Sequence, residues 1–300
     1  MSLDPFPLVA VAGPTGSGKS ALALSLASAL GGEIVNYDSV QVYRGLDIGS
    51  AKTPPAERLG VPHHLIDILE PHEELTAGAY ARLARPLLTE IASRGKLPVL
   101  VGGTGFYLRA LLAGLSPAPE RDAALRDRLS TLAERRPAAL HRLLRRLDPE
   151  AARRIHPNDC QKLIRAVELA RAQRLPRDPL TGFRIVKIGL NPDRQLLYQR
   201  INQRTEQMFA SGLLEETEAL LQTGLSPNAK PLQTLGYKQA VQVLARTLPL
   251  EHAIAECQTK TRQYAKRQLT WFRSEPDITW LQGFGDEPHL QLTARSLANI

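Results

Sequence analysis

The sequence predicts an α/β protein with a parallel-sheet core that carries a phosphate loop and is interrupted by a helical insertion. Three observations point there. Residues Gly13, Pro14, Thr15, Gly16, Ser17, Gly18, Lys19 and Ser20 fit G-x-x-x-x-G-K-[ST] at every constrained position. The apolar run 8–12 before them suits a buried parallel strand, and 21–30 after them reads as a helix, giving the strand, loop, helix order the motif needs. Further short strand-like runs recur at 33–36, 96–101 and 183–190, alternating with helical periodicities, whereas 117–179 loses such runs and turns charged and helical. The expected organisation is a core from 1–116 and 183–300 around an insertion at 117–182.

Composition sets the outer bounds. Three hundred residues with 43% apolar content can bury one large core and a smaller appendage. No apolar run approaches the ~18 residues needed to cross a bilayer, and the run before Gly13 is too short for a signal-peptide core, so a cytoplasmic protein is expected. Cys160 and Cys257 have neither C-x-x-C nor paired-His spacing, which predicts two free thiols. The net charge of +8 is unevenly placed: residues 121–187 hold seventeen Lys or Arg against eight Asp or Glu. Such a block reads either as solvated helical faces or as a surface for a polyanion.

In chain order, the loop at 13–20 is a phosphate cradle. Its backbone N–H groups and the following helix N-terminus attract an anion, Lys19 adds charge, and Ser20 can reach a bound Mg²⁺. Taken alone it predicts a nucleotide site. The run 33–36 leads to Asp38, Ser39, Val40 and Gln41, placing Asp38 at the same sheet edge as the loop; its carboxylate reads as a general base, a Mg²⁺ ligand or a helix cap. His63, His64 and Asp67 invite a metal reading, but adjacent side chains on an extended segment point apart, which favours satisfied loop histidines. A helix is expected at 76–94. The strand at 96–101 ends in Gly102, Gly103, Thr104 and Gly105 where a nucleotide hydrolase or kinase would place an acid. This turn is either a plain connection or a place where backbone approaches a ligand, with the Thr104 hydroxyl available to a leaving phosphate.

In the insertion, Leu125, Leu129 and Leu132 form one apolar stripe and Leu163, Val167 and Ala170 another. A strand at 183–190 returns to the sheet, followed by amphipathic helices at 194–210, 213–222, 237–245 and 250–272. Arg200 and Arg204 share a helix face. Between Lys260 and Arg273 lie five basic residues, no acid, and Tyr264, Trp271 and Phe272. That mixture suits single-stranded nucleic acid, although Trp271 and Phe272 read equally as core.

Together the motifs resemble the tRNA dimethylallyltransferases, or tRNA isopentenyltransferases, of the bacterial type without a zinc finger. The matching stretches are GPTGSGKS (13–20), DSVQVYRGLDIGSAK (38–52), HHLIDILEP (63–71), VGGTGFYLRALL (101–112), QKLIRAVE (161–168), MFASGLLEE (208–216), LGYKQ (235–239) and AKRQLTWFR (265–273), in family order along nearly the whole chain. The resemblance implies a P-loop NTPase-like parallel-sheet core with a helical insertion domain, Mg²⁺ dependence, and transfer of a dimethylallyl group from dimethylallyl diphosphate to N6 of adenosine 37 in a tRNA anticodon stem-loop. It implies that Asp38 accepts the N6 proton, that Thr104 lies at the reacting centre, and that the loop receives the leaving diphosphate, helped by Mg²⁺ on Ser20 and by Arg204. It further implies tRNA contacts at Asp38, Ser39, Val40 and Gln41, at Gln161, Lys162, Leu163, Ile164 and Arg165, and at Leu235, Gly236, Tyr237, Lys238 and Gln239. Lys266 and Arg267 would meet phosphates, and a monomer is expected. Three positions depart from the family pattern: Gly16 for Ala, Ser50 for Thr, and Lys162 for Arg, the last weakening any bidentate phosphate contact. Competing readings are an adenylate isopentenyltransferase acting on free AMP, ADP or ATP, which has little use for the basic insertion, and a P-loop small-molecule kinase.

Overall fold

The apolar runs pair as one parallel sheet. A computed structural model describes residues 5–115, 122–170 and 177–298. Its strands are β1 (Phe6–Ala12), β2 (Gly32–Asn36), β3 (His63–His64), β4 (Leu97–Val101), β5 (Phe183–Leu190) and β6 (Ile278–Leu281), in the order β3-β2-β4-β1-β5-β6 with every pairing parallel. Val11 pairs with Val101, and Val101 with Asn36. β1, β4 and β2 therefore end level, and the loops after them emerge along one edge, where open α/β sheets hold ligands. β2 and β4 are buried throughout; β4 is accordingly a continuous apolar run rather than an alternating one, while β2 buries Glu33 and Asn36 with hydrogen-bond partners.

The chain divides into two compact units, Met1–Leu112 with Leu180–Ile300, and Ala113–Pro179. The first holds the sheet with α1 (Lys19–Leu30), α2 (Ala77–Ser93) and α3 (Gly105–Leu112). The second holds α4 (Ala123–Arg135), α5 (Pro137–Leu147), α6 (Pro149–Arg154) and α7 (Cys160–Ala170). The first unit resumes with α8 (Arg194–Ala210), α9 (Leu213–Gln222), α10 (Tyr237–Leu244), α11 (Leu250–Arg273) and α12 (Pro288–Ala298). The predicted insertion start at 117 lies outside the described residues.

Each unit has its own core. In the first, Leu22 and Leu26 of α1 pack with Val9, Val11, Val99 and Ile188 of the sheet and with Leu290 and Ala294 of α12. In the second, Leu129, Leu140, Leu144, Ala152, Leu163, Ile164 and Val167 meet across the four helices. A buried carboxylate also ties that unit together: Glu168, 4% exposed, pairs with Arg165 at 2.8 Å and Arg126 at 3.3 Å.

Three elements have no counterpart in the sequence reading. β3 is two residues long and β6 is a half-exposed four-residue edge strand, both too short for a periodic window, whereas the eleven residues of α12 bury Leu290, Ala294 and Ala298 on one face and carry a helical period the sequence reading left out. β3 also settles the paired histidines. His63 Nδ1 lies 2.8 Å from the Val61 carbonyl and His64 Nε2 2.7 Å from Glu33, while Asp67 is taken by Lys52. Cys160 and Cys257 are free, the latter buried.

Glu33, 7% exposed on β2, accepts from His64 of β3 and from Arg94 at the end of α2. Burial pushes its carboxyl up, but the His64 and Arg94 hydrogen bonds outweigh this and hold it below the ordinary carboxylate range. A lowered folded pKa adds stability above the unfolded value that is lost as pH falls through the folded one. Glu33→Gln is expected to cost about 1–3 kcal/mol at neutral pH. Denaturant titrations of both proteins should converge as the pH drops below about 4; an undiminished gap there would contradict this origin.

Candidate active site

The phosphate loop leaves β1 and turns back into α1 through left-handed backbone at Gly16 (φ 81°) and Gly18 (φ 83°), a region glycine enters without strain. Gly16 therefore suits its position as it stands, and a Cβ there would press on Ile201 at 3.1 Å. Lys19 folds over the loop, its Nζ donating to the Pro14 carbonyl at 2.7 Å. Burial pushes its ammonium down to about 7, with the Asp38 carboxylate pulling it up and Arg204 pushing it further down. An anion in the loop would restore the charged form by the same electrostatics.

Other segments close on this loop. Arg204 of α8 donates to Thr15 Oγ1 at 2.5 Å, and Gln268 of α11 accepts from the Thr15 N–H at 2.8 Å. The Gly285 N–H donates to the Ser17 carbonyl at 2.9 Å. Arg200, one turn from Arg204, is instead engaged by Asp286 at 2.7 Å and lies over the Phe284 ring.

Asp38 follows β2 on the same edge. Its Oδ1 accepts the Val40 N–H at 2.9 Å, while its own N–H donates to Asn36 Oδ1 at 3.0 Å. That turn leaves Oδ2 for the cleft. Thr104 accepts the Ser39 N–H at 2.9 Å and donates to Ser39 Oγ at 3.1 Å, so its hydroxyl holds the turn that carries Asp38. Gly102 and Gly103 line the cleft, and a Cβ on Gly103 would lie 3.1 Å from Asp38 Oδ2.

The resulting cleft, of about 490 Å³, brings together Thr15, Lys19, Ser20, Asp38, Gln41 and Arg204. It also takes in groups the sequence reading missed. Gln203 and Gln207 share the Arg200–Arg204 face of α8, a polar i, i+3, i+4, i+7 stripe visible in the sequence once that helix is known to face a ligand. Tyr264, Gln268 and Asp286 arrive by tertiary closure. Burial pushes the Tyr264 phenol up to about 12, helped by Asp38, so it stays protonated.

Several expected tRNA-contact side chains point elsewhere. Leu163 and Ile164 are core residues of the helical unit, and Arg165 is bonded to Glu168, leaving Gln161 and Lys162 exposed. Tyr237 and Gln239 are fully buried. Tyr237 Oη donates to Glu216, whose carboxylate also accepts the N–H groups of Asp47, Ile48 and Gly49 at 2.8–3.3 Å. Gln239 closes the start of α10 on Gly236. Tyr237 thus shapes the loop bordering the cleft through Glu216, and Lys238 is the outward-facing charge of this segment. Phe272 is buried, and Arg109 lies over the Trp271 ring at 4.2 Å with Phe106 at its edge. Lys266 and Arg267 are exposed.

Residues 41–275 match the family model for IPP transferase, and 7–70 that for isopentenyl transferase. The tRNA dimethylallyltransferase of Solibacter usitatus is 53% identical over 96% of each chain, and that of Koribacter versatilis 56% identical over 95% of each. The crystal structure of the full-length tRNA isopentenylpyrophosphate transferase of Bacillus halodurans superposes with a TM-score of 0.73 at 40% identity, covering 97% of this chain and 96% of that one. A eukaryotic dimethylallyltransferase acting on tRNA aligns at 0.77 with 28% identity, over 92% of this chain and 74% of its own. A strand, phosphate loop and helix at the head of an all-parallel sheet, matched over nearly their full length by these relatives, place the chain in the IPP transferase family, on a P-loop NTPase-like α/β core.

Proposed function

We propose that this protein transfers a dimethylallyl group from dimethylallyl diphosphate to N6 of adenosine 37 in tRNA, releasing diphosphate. One observation carries the chemistry. The phosphate loop with Lys19 and Arg204 faces, across one cleft, a carboxylate whose second oxygen is free, at a sheet edge where β4 ends in glycines rather than an acid. In this reaction the adenine amine attacks the allylic carbon, the carbon–oxygen bond to diphosphate breaks, and the N6 proton passes to Asp38. Loop N–H groups, Lys19 and Arg204 stabilise the charge gathering on the departing diphosphate. Thr104 keeps Asp38 in place through Ser39. The target base must leave its stack to enter so small a cleft.

Mg²⁺ fits the donors present. Among the described residues no group of three His, Cys, Asp or Glu could hold a metal, and Mg²⁺ binds readily through substrate phosphates, waters and one protein oxygen. Ser20 would supply that oxygen, and the ion would neutralise leaving-group charge. Gln41, Lys238, Lys266, Arg267 and the exposed arginines of the helical unit would meet tRNA, the last chiefly through phosphates.

Incubation with labelled dimethylallyl diphosphate and either tRNA or AMP is expected to label tRNA, with nucleoside analysis returning N6-dimethylallyladenosine; transfer to AMP alone would sink the reading in favour of an adenylate isopentenyltransferase. Asp38→Ala should lower turnover by at least about 10²-fold with tRNA affinity little changed. Weak binding with normal single-turnover chemistry would make Asp38 an RNA contact instead. Replacing exposed Arg145 and Arg146 of α5 by Ala should weaken tRNA binding and flatten its log–log salt slope by roughly one per lost phosphate contact, leaving turnover at saturating tRNA intact. An unaltered slope would remove those arginines from the interface.

A further inference from the structure

We propose that Gln268 is a positioning residue for this transfer, holding the loop for the leaving group and the turn beside the base at one separation. The inference rests on the reaction proposed above. β1 and β4 are joined by ladder hydrogen bonds whose last paired residues are Val11 and Val101, short of both loops. Gln268 extends that connection. From α11, 5% exposed, it accepts the Thr15 N–H with Oε1 at 2.8 Å and donates from Nε2 to the Gly103 carbonyl at 2.9 Å.

The demand on side-chain type is narrow. A bridge between a backbone donor and a backbone acceptor needs one group that accepts at one end and donates at the other; glutamate only accepts, and asparagine is a methylene short. The glycine opposite fits the same demand. A Cβ on Gly103 would lie 2.5 Å from Gln268 Nε2 and 3.1 Å from Asp38 Oδ2, so only a residue without one lets amide and carboxylate share that corner. Thr15, the other anchor, carries the Arg204 guanidinium on its hydroxyl. A single amide thus sets the distance between the cation-bearing end of the phosphate loop and the carboxylate that takes the proton. Displacement of reacting groups by about 1 Å costs on the order of 10²-fold in rate.

The test compares Gln268→Ala and Gln268→Glu with wild type, and combines Gln268→Ala with Asp38→Ala. Single-turnover transfer to tRNA at saturating donor, KM for dimethylallyl diphosphate, tRNA affinity and Tm are read for each. Both single variants should lose about 10- to 100-fold in single-turnover rate, with KM and tRNA affinity within about 3-fold. In the Asp38→Ala background the Gln268→Ala loss should shrink to less than about 3-fold, because the geometry it protects no longer includes a base. Gln268→Glu preserves volume, so it reports even where the alanine variant folds poorly. A lower Tm with normal single-turnover rate would reduce Gln268 to packing, and a rise in KM alone would make it a ligand contact. The full loss persisting without Asp38 would separate it from the base. Should wild type itself fail to prenylate tRNA, the proposed function falls; an active wild type matched by Gln268→Ala overturns this inference alone.

Discussion

The phosphate loop is a turn of small residues, two of them in left-handed backbone, and it keeps its shape because distant parts of the chain bond to it. Gln268 takes the Thr15 N–H from 253 residues away and Arg204 its hydroxyl from 189 away. Gly285 takes the Ser17 carbonyl, and a Cβ on Gly18 would lie 2.8 Å from the Gly285 nitrogen, so closure is tight. Backbone dipoles stabilise developing charge in proportion to how little they reorganise. The return of α8, α11 and the segment after β6 over the head of β1 therefore does more than complete a core: it fixes the turn from three sides.

The same closure sorts charge. Two cationic side chains with similar spacing on α8 have different fates, because Asp286 neutralises Arg200 while Arg204 stays on the loop. Desolvation beside the loop brings the Lys19 ammonium down to about 7. A site so arranged gains most when a strongly anionic group arrives, since that group relieves the desolvation of Lys19 and the mutual repulsion of Lys19 and Arg204 together. Phosphoryl transfer asks for an acid near the attacking oxygen and phosphorus. Attack at an allylic carbon asks for an anion receptor and a proton acceptor on opposite sides, which matches the glycine turn after β4 and the half-free carboxylate of Asp38.

Local patterning made most of the fold legible. β5 and α8 both fall where the sequence places them. β3 and β6 exist only as pairings with neighbours, so no local signal announces them. The candidate site divides the same way. Lys19 opens α1 and Asp38 follows β2, both in recognisable motifs, whereas Gln268 and Asp286 reach the cleft through contacts more than 80 residues long. For Thr104 the sequence offers a hydroxyl beside a glycine turn, and its bonds to Ser39, 65 residues away in the chain, are visible only in the structure.

Segments matched as contact motifs carry a second meaning. Five consecutive residues on a helix cannot all face outward, so Gln161 to Arg165 on α7 necessarily includes core positions, here Leu163 and Ile164. The same holds from Leu235 to Gln239, where Tyr237 and Gln239 are spent on Glu216 and on the start of α10. Glu216 in turn collects three backbone N–H groups from the loop at 47–49, and that loop leads to Ser50 and Ala51 at the cleft. A motif of this kind is constrained at its outward residues by what they touch and at its inward residues by the loop they shape. Substitutions at Tyr237 or Glu216 therefore act on the cleft through backbone position, and their effect belongs with that of Gln268 rather than with the exposed arginines.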